Sequence, residues 1–264
     1  AGTIFVGHNS ALGSGTLTFA VSGTRLASND STDRTISNAL GTFAGTSAIY
    51  TFGSAGSGNL TFTNTTSAAL GAVRTFTVNN SWTSFANAFT GASDGITKAG
   101  TGTLILAGNN TYTGATTINT GTLQIGNGGA TGSLSTSSAI TVNGTLVFNR
   151  SGDVVQGTNF SSASISGTGS LVQNGAGTLT LNAANTYSGG TTLNTGTLVI
   201  GNAAAAGNGT ITQANSSSLL KFDTTGTITN NMSVYNVLAT QSATLSGAIT
   251  VNNATWDIDT GDTL

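Results

Sequence analysis

The segment Gly100 to Asn127, GTGTLILAGNNTYTGATTINTGTLQIGN, returns 75 residues later as Gly175 to Asn202, GAGTLTLNAANTYSGGTTLNTGTLVIGN, with 19 of 28 positions identical. Self-similarity of this kind marks a chain of stacked units, each bonded to its neighbours rather than to one central core. In the first copy Leu104 and Leu106 alternate with polar or outward residues, and Leu123 and Ile125 do so 19 residues later. Leu179, Leu181, Leu198 and Ile200 keep that spacing in the second copy. A period of two is the signature of strands. A unit of ~19 to 25 residues suits one coil of a parallel β-solenoid, with three short strands and three corners, advancing ~4.8 Å per coil. The eight Leu and Ile residues then point into one elongated core, joined by Ile118 and Leu193.

Composition favours the same reading. There are 38 Gly, no Pro, no Cys, 8 Asp without any Glu, and charged residues make up 5% of the chain. The residues that cover helix surfaces are almost missing, whereas β-branched residues and turn formers abound. Gly121 and Gly196 fall at corners, where a positive φ penalises any Cβ. The recurring Asn110, Asn119 and Asn127, and their equivalents Asn185, Asn194 and Asn202, either close their own turns or join hydrogen bonds from coil to coil.

Three partial copies align, near 1–19, 95–127 and 170–202. The interval from Gly2 to Gly121 is 119 residues and that from Gly121 to Gly196 is 75, so extra loops or coils are expected within 41–94. Residues 1–264 read as one continuous all-β solenoid section of a longer chain. A net charge of -2 supplies no basic surface for nucleic acid or an anionic membrane. No apolar run approaches the ~20 residues of a membrane helix.

Gly95-Ile96-Thr97-Lys98-Ala99-Gly100-Thr101-Gly102-Thr103-Leu104-Ile105-Leu106, followed by Asn110-Thr111-Tyr112-Thr113-Gly114 and Thr116-Thr117-Ile118-Asn119-Thr120-Gly121-Thr122-Leu123, resembles the passenger-associated transport repeat of bacterial autotransporters. The likeness lies in the combination KxGxGTLxL, NTYxG and TTxNxGTL. The second copy departs from it with Gln173 and Asn174 in place of Lys98 and Ala99. The resemblance implies a right-handed parallel β-helix, exported by a Gram-negative-type cell and displayed or released outside it, with no enzyme activity.

Chemistry-bearing residues are sparse. Asp257, Asp259 and Asp262 form the single carboxylate cluster; WDIDTGDT lacks the glycine-spaced regularity of a calcium-binding nonapeptide and is read as a solvated strand end. His8 is the sole His, so no His-based metal site or proton relay can be assembled. Tyr112 and Tyr187 are read as packing over a corner rather than stacking on a sugar. No catalytic, cofactor-binding or metal residue is expected.

The leading expectation is a non-enzymatic extracellular structural protein, a stalk or fibre section whose partners are further coils of its own chain or identical subunits stacked end to end. The alternative is an adhesin that binds surface glycans through loops of 41–94, where Phe43, Tyr50, Phe52, Phe62, Phe76, Trp82, Phe85 and Phe89 cluster. A polysaccharide-degrading β-helix is the weakest reading, because such chemistry needs paired acids.

Overall fold

The computed structural model describes residues 2–45 and 47–258. Strand follows strand throughout, and among the described residues there is no helix. Among the described residues all the strand pairs are parallel, so each connection carries the chain round a coil before it returns beside its predecessor.

Three faces can be followed along the axis. The first begins with Thr3–Val6, Thr24–Ser28, Ile49–Phe52, Arg74–Val78, Ile96–Ala99, Thr116–Ile118 and Ile140–Val142. The second is the longest, with eleven strands from Arg34–Ile36 to Ile249–Ile258, among them Thr103–Leu106, Thr122–Ile125, Thr145–Phe148 and Ser170–Gln173. The third is irregular at first, with the short pair Ala68–Ala69 and Phe89–Thr90, and becomes regular through Val154–Val155, Thr178–Leu181, Thr197–Ile200 and Leu219–Phe222. Strand Met232–Ala239 turns the corner between the second and third faces, pairing with Ile211 and Thr212 at one end and with Leu220 to Phe222 at the other.

Register stacks like on like. Along the second face one inward ladder runs Ile36, Phe62, Phe85, Leu106, Ile125, Phe148. The eight Leu and Ile residues of the two repeats, with Ile118 and Leu193, are all fully buried in one core. Each such side chain contributes ~1.5–3 kcal/mol of burial, and each is shielded above and below by its counterpart in the next coil. Sequence spacing predicts this well: consecutive strand partners Thr103, Thr122, Thr145 and Ser170 are 19, 23 and 25 residues apart.

Of the extra loops or coils expected within 41–94, the structure has regular coils, built by Ile49–Phe52, Leu60–Phe62, Arg74–Val78 and Trp82–Phe85. Their aromatics fill the core. Phe62 and Phe85 stack at 4.4 Å, and Phe52, Phe76 and Phe89 meet Phe85 at 5.3 to 5.9 Å. The longer interval between the first and second partial copies is therefore added coils rather than protruding loops.

The two repeat copies do not occupy the same faces. In the first, KAG belongs to the first face and Thr103–Leu106 to the second. In the second copy Ser170–Gln173 continues the second face and Thr178–Leu181 the third. Coils starting at Ile96 pass through Thr116, Ile140 and Ser166 on the first face before Leu171 is reached on the next. The 75-residue period thus amounts to three coils and one third.

Candidate functional surface

The corners carry the most organised polar chemistry. Lys98 lies next to the end of the first-face strand Ile96–Ala99 and is buried, its Nζ donating to the carbonyls of Ala99 and Gly100 at 2.8 Å and of Thr120 in the next coil at 3.2 Å. Burial pushes its ammonium down to about 8, since no carboxylate offsets the lost hydration. Gln173, its equivalent in the second copy, donates its Nε2 to Gly175 and Gly177 carbonyls at 2.9 Å. The departure from KxGxG therefore preserves the function of the position: a nitrogen donor that ties a glycine corner. Arg74 does likewise without a counter-ion, donating to the carbonyls of Leu70 at 2.6 Å, Phe43 at 2.5 Å, and Gly45. The role of these cations is not legible in the sequence, because their acceptors are backbone carbonyls, some of them in neighbouring coils, and carry no side-chain signature.

The asparagines of NTYxG join coils. Asn110 accepts from the Phe89 N–H at 2.9 Å in the preceding coil and donates to Ser133 in the following one at 3.0 Å and to Gly108 at 2.9 Å. Asn185 repeats this between Ile165 and Ala205, at 2.8 and 2.7 Å. Asn202, by contrast, closes its own turn through Ala204 N–H at 3.0 Å. Both sequence readings hold, at different positions.

Tyr112 and Tyr187 are buried, and their hydroxyls meet Thr116 Oγ1 at 2.8 Å and Thr191 Oγ1 at 2.6 Å. Burial raises both phenols well above their usual range. They pack, as expected, and neither ring is available to a sugar. Of the eight aromatics in 41–94, seven are buried and Trp82 is half-buried. The sequence leaves these rings open between core and binding surface; alternation along regular strands turns seven of them inward.

His8 is exposed, its Nδ1 accepting from the Ser10 N–H at 3.2 Å. Asp257 is exposed beside a 460 Å³ hollow lined also by Ser217 and Asn236, while Asp259 and Asp262 lie outside the described residues. Asp30 is held by Arg34 at 2.8 Å; its carboxyl is lowered first by the Thr32 backbone N–H, with Ser28 and Arg34 contributing. Among the described residues no three His, Cys, Asp or Glu side chains gather as metal ligands.

One surface feature crosses several coils. At the corner between the first and second faces a polar groove of about 430 Å³ runs along the axis, from Ser31 and Asp33 past Asn59, Asn79 and Ser81 to Thr101. A smaller hollow of about 200 Å³ shares Ser31, Gly56 and Ser57 with it and extends it to Phe5. The floor is shallow-walled because side chains are excluded there: a Cβ on Gly58 would lie 1.8 Å from the Thr32 carbonyl oxygen, and one on Gly102 2.0 Å from that of Asn80.

The passenger-associated-transport-repeat family model matches residues 96–125 and 171–200. Over 136 residues the chain is 40% identical to the Adhesin BmaC autotransporter of Brucella suis biovar 1 (strain 1330), a match covering 48% of this chain and 4% of that protein. The chain thus spans a small fraction of the length of the curated relative it matches. No solved structure matches it. The repeats sit on the coils described above, with Lys98 or Gln173 tying the glycine corner and NTYxG closing the opposite one, so the chain carries two passenger-associated transport repeats on a β-solenoid that is similar, over part of its length, to an autotransporter adhesin.

Proposed function

We propose that the chain acts as a non-enzymatic spacer, a stiff section of a surface stalk or fibre. The observation that carries this is the unbroken stack of parallel strands, eleven deep on the second face, which at ~4.8 Å per coil extends ~50 Å. Each coil bonds to its neighbours alone, so reach grows linearly with coil number. Natural partners in this reading are further coils or second copies stacked along the axis. Small-angle scattering tests it: a rod-like profile is expected, and a compact globular one would overturn it. Incubation with a panel of polysaccharides should release no new reducing ends; release abolished by Asp33→Asn or Asp257→Asn would establish an enzyme instead.

A second reading, adhesion, is favoured by the partial likeness to a protein named as an adhesin. Beads coated with the purified chain should then adhere to epithelial cells or to their matrix more than beads coated with an unrelated β-solenoid.

A further inference from the structure

We infer that the axial groove between the first and second faces is a binding site for a linear, uncharged oligosaccharide; this rests on the adhesive reading and gives it a location. The groove is lined by polar groups that the protein leaves free. Among the described residues the hydroxyls of Ser31, Ser81 and Thr101 and the side-chain amide of Asn79 make no hydrogen bond. Asn59 uses only its Oδ1, which accepts from the Trp82 N–H at 2.8 Å, so its Nδ2 donor is free. Asp33 uses only Oδ1, which accepts from the Asn59 N–H at 2.7 Å, so its second oxygen is free. The set thus offers donors and acceptors together, which is what a polyhydroxylated ligand requires.

The chemistry disfavours other ligands. No Lys or Arg lines this groove and one carboxylate does, so nucleic acid and acidic glycans meet no positive charge. The lining is polar rather than apolar, unlike the sites that bury drug-like ligands. The strands on either side are bonded to their neighbours in the stack, leaving no free edge there for an added peptide strand. The four coils that contribute span ~15 Å along the axis, long enough for a short run of sugars lying lengthwise. At the far end of the adjoining hollow Phe5 is 61% exposed and can offer a ring face to a terminal sugar.

Titration calorimetry of the whole chain with maltohexaose, cellohexaose, mannohexaose and chitohexaose tests the site, with heparin hexasaccharide and oligogalacturonate as acidic counterparts. At least one neutral hexasaccharide should bind with a Kd below about 1 mM. The double variant Asn79→Ala, Ser81→Ala should weaken it at least tenfold with an unchanged melting temperature, because neither side chain is bonded within the fold. Thr101→Trp, which covers the groove from outside, should do the same. Failure of all four neutral probes, indifference to these variants, or tighter binding of the acidic ones would each overturn the inference. The coated beads separate the two levels. Adherence that survives the groove variants leaves adhesion standing and removes the groove, whereas sugar binding without adherence does the reverse.

Discussion

Lys98 and Gln173 hold equivalent places in the two repeats, and each aims a nitrogen at the carbonyls of a glycine corner, the first from one face of the solenoid and the second from the next. The lysine carries a cost that the glutamine does not. Burial holds the folded Lys98 near 8, while in the unfolded chain a lysine titrates near ~10.4. Between those values the unfolded state binds more protons, so stability should rise with pH across that window. Above about pH 10 the trend reverses, because Tyr112 and Tyr187 stay protonated when folded and ionise when unfolded. Urea melts at pH 7.5, 9.5 and 11.5 should show the rise and then the fall. Lys98→Gln should abolish the rise and keep the fall; parallel curves for the two proteins would show that the ammonium is not desolvated.

Asn110 bonds to the coil before and the coil after, and Asn110→Ala should strand the Phe89 N–H, whereas the Ser133 carbonyl keeps its bond from the backbone N–H of residue 110. A loss of ~1–3 kcal/mol is expected from the one unsatisfied buried donor. Asn127→Ala, at an exposed turn, should stay within ~0.5 kcal/mol. Equilibrium denaturation of the two variants side by side measures the contrast.

Leu123 is fully buried between Leu104 and Leu146 in the register. Leu123→Ala should cost ~2–5 kcal/mol through the cavity it leaves, and Leu123→Asp more, since no cation is stacked beside it to compensate the charge. Hydrogen exchange should show the loss concentrated in the neighbouring coils; a uniform loss along the chain would contradict nearest-neighbour stacking.

Asp257→Asn and His8→Ala should leave bead adherence unchanged, because both side chains are exposed and neither lines the groove to which adhesion is assigned. A drop in adherence of more than about threefold in either variant would point to a different surface.

Much of the architecture is legible in the residues. TLxL and TLxI mark the strands and their inward side, and the 19-residue step from Leu104 to Leu123 is one coil. The packing role of Tyr112 is legible too, since a fixed aromatic at a corner is best placed across the core. Less legible is what depends on phase. Alignment matches Ile96 with Leu171, but the intervening coils vary in length, and only their sum decides which face each residue reaches. The aromatics of 41–94 read as either core or surface because their coil spacing matches neither clear repeat. The groove is invisible in sequence for a related reason: Asp33, Asn59, Ser81 and Thr101 become neighbours only when four coils are stacked.

The third of a coil left over in the 75-residue period also constrains how such a passenger can change length. Gain or loss of one whole period by unequal recombination would preserve every strand pairing motif, yet it would turn everything downstream by about 120° about the axis relative to everything upstream. Three periods, ten coils in all, would restore the original heading. A surface site on one side of the stalk and another beyond the inserted segment would therefore face the same way only for particular copy numbers, so repeat number sets orientation as well as height.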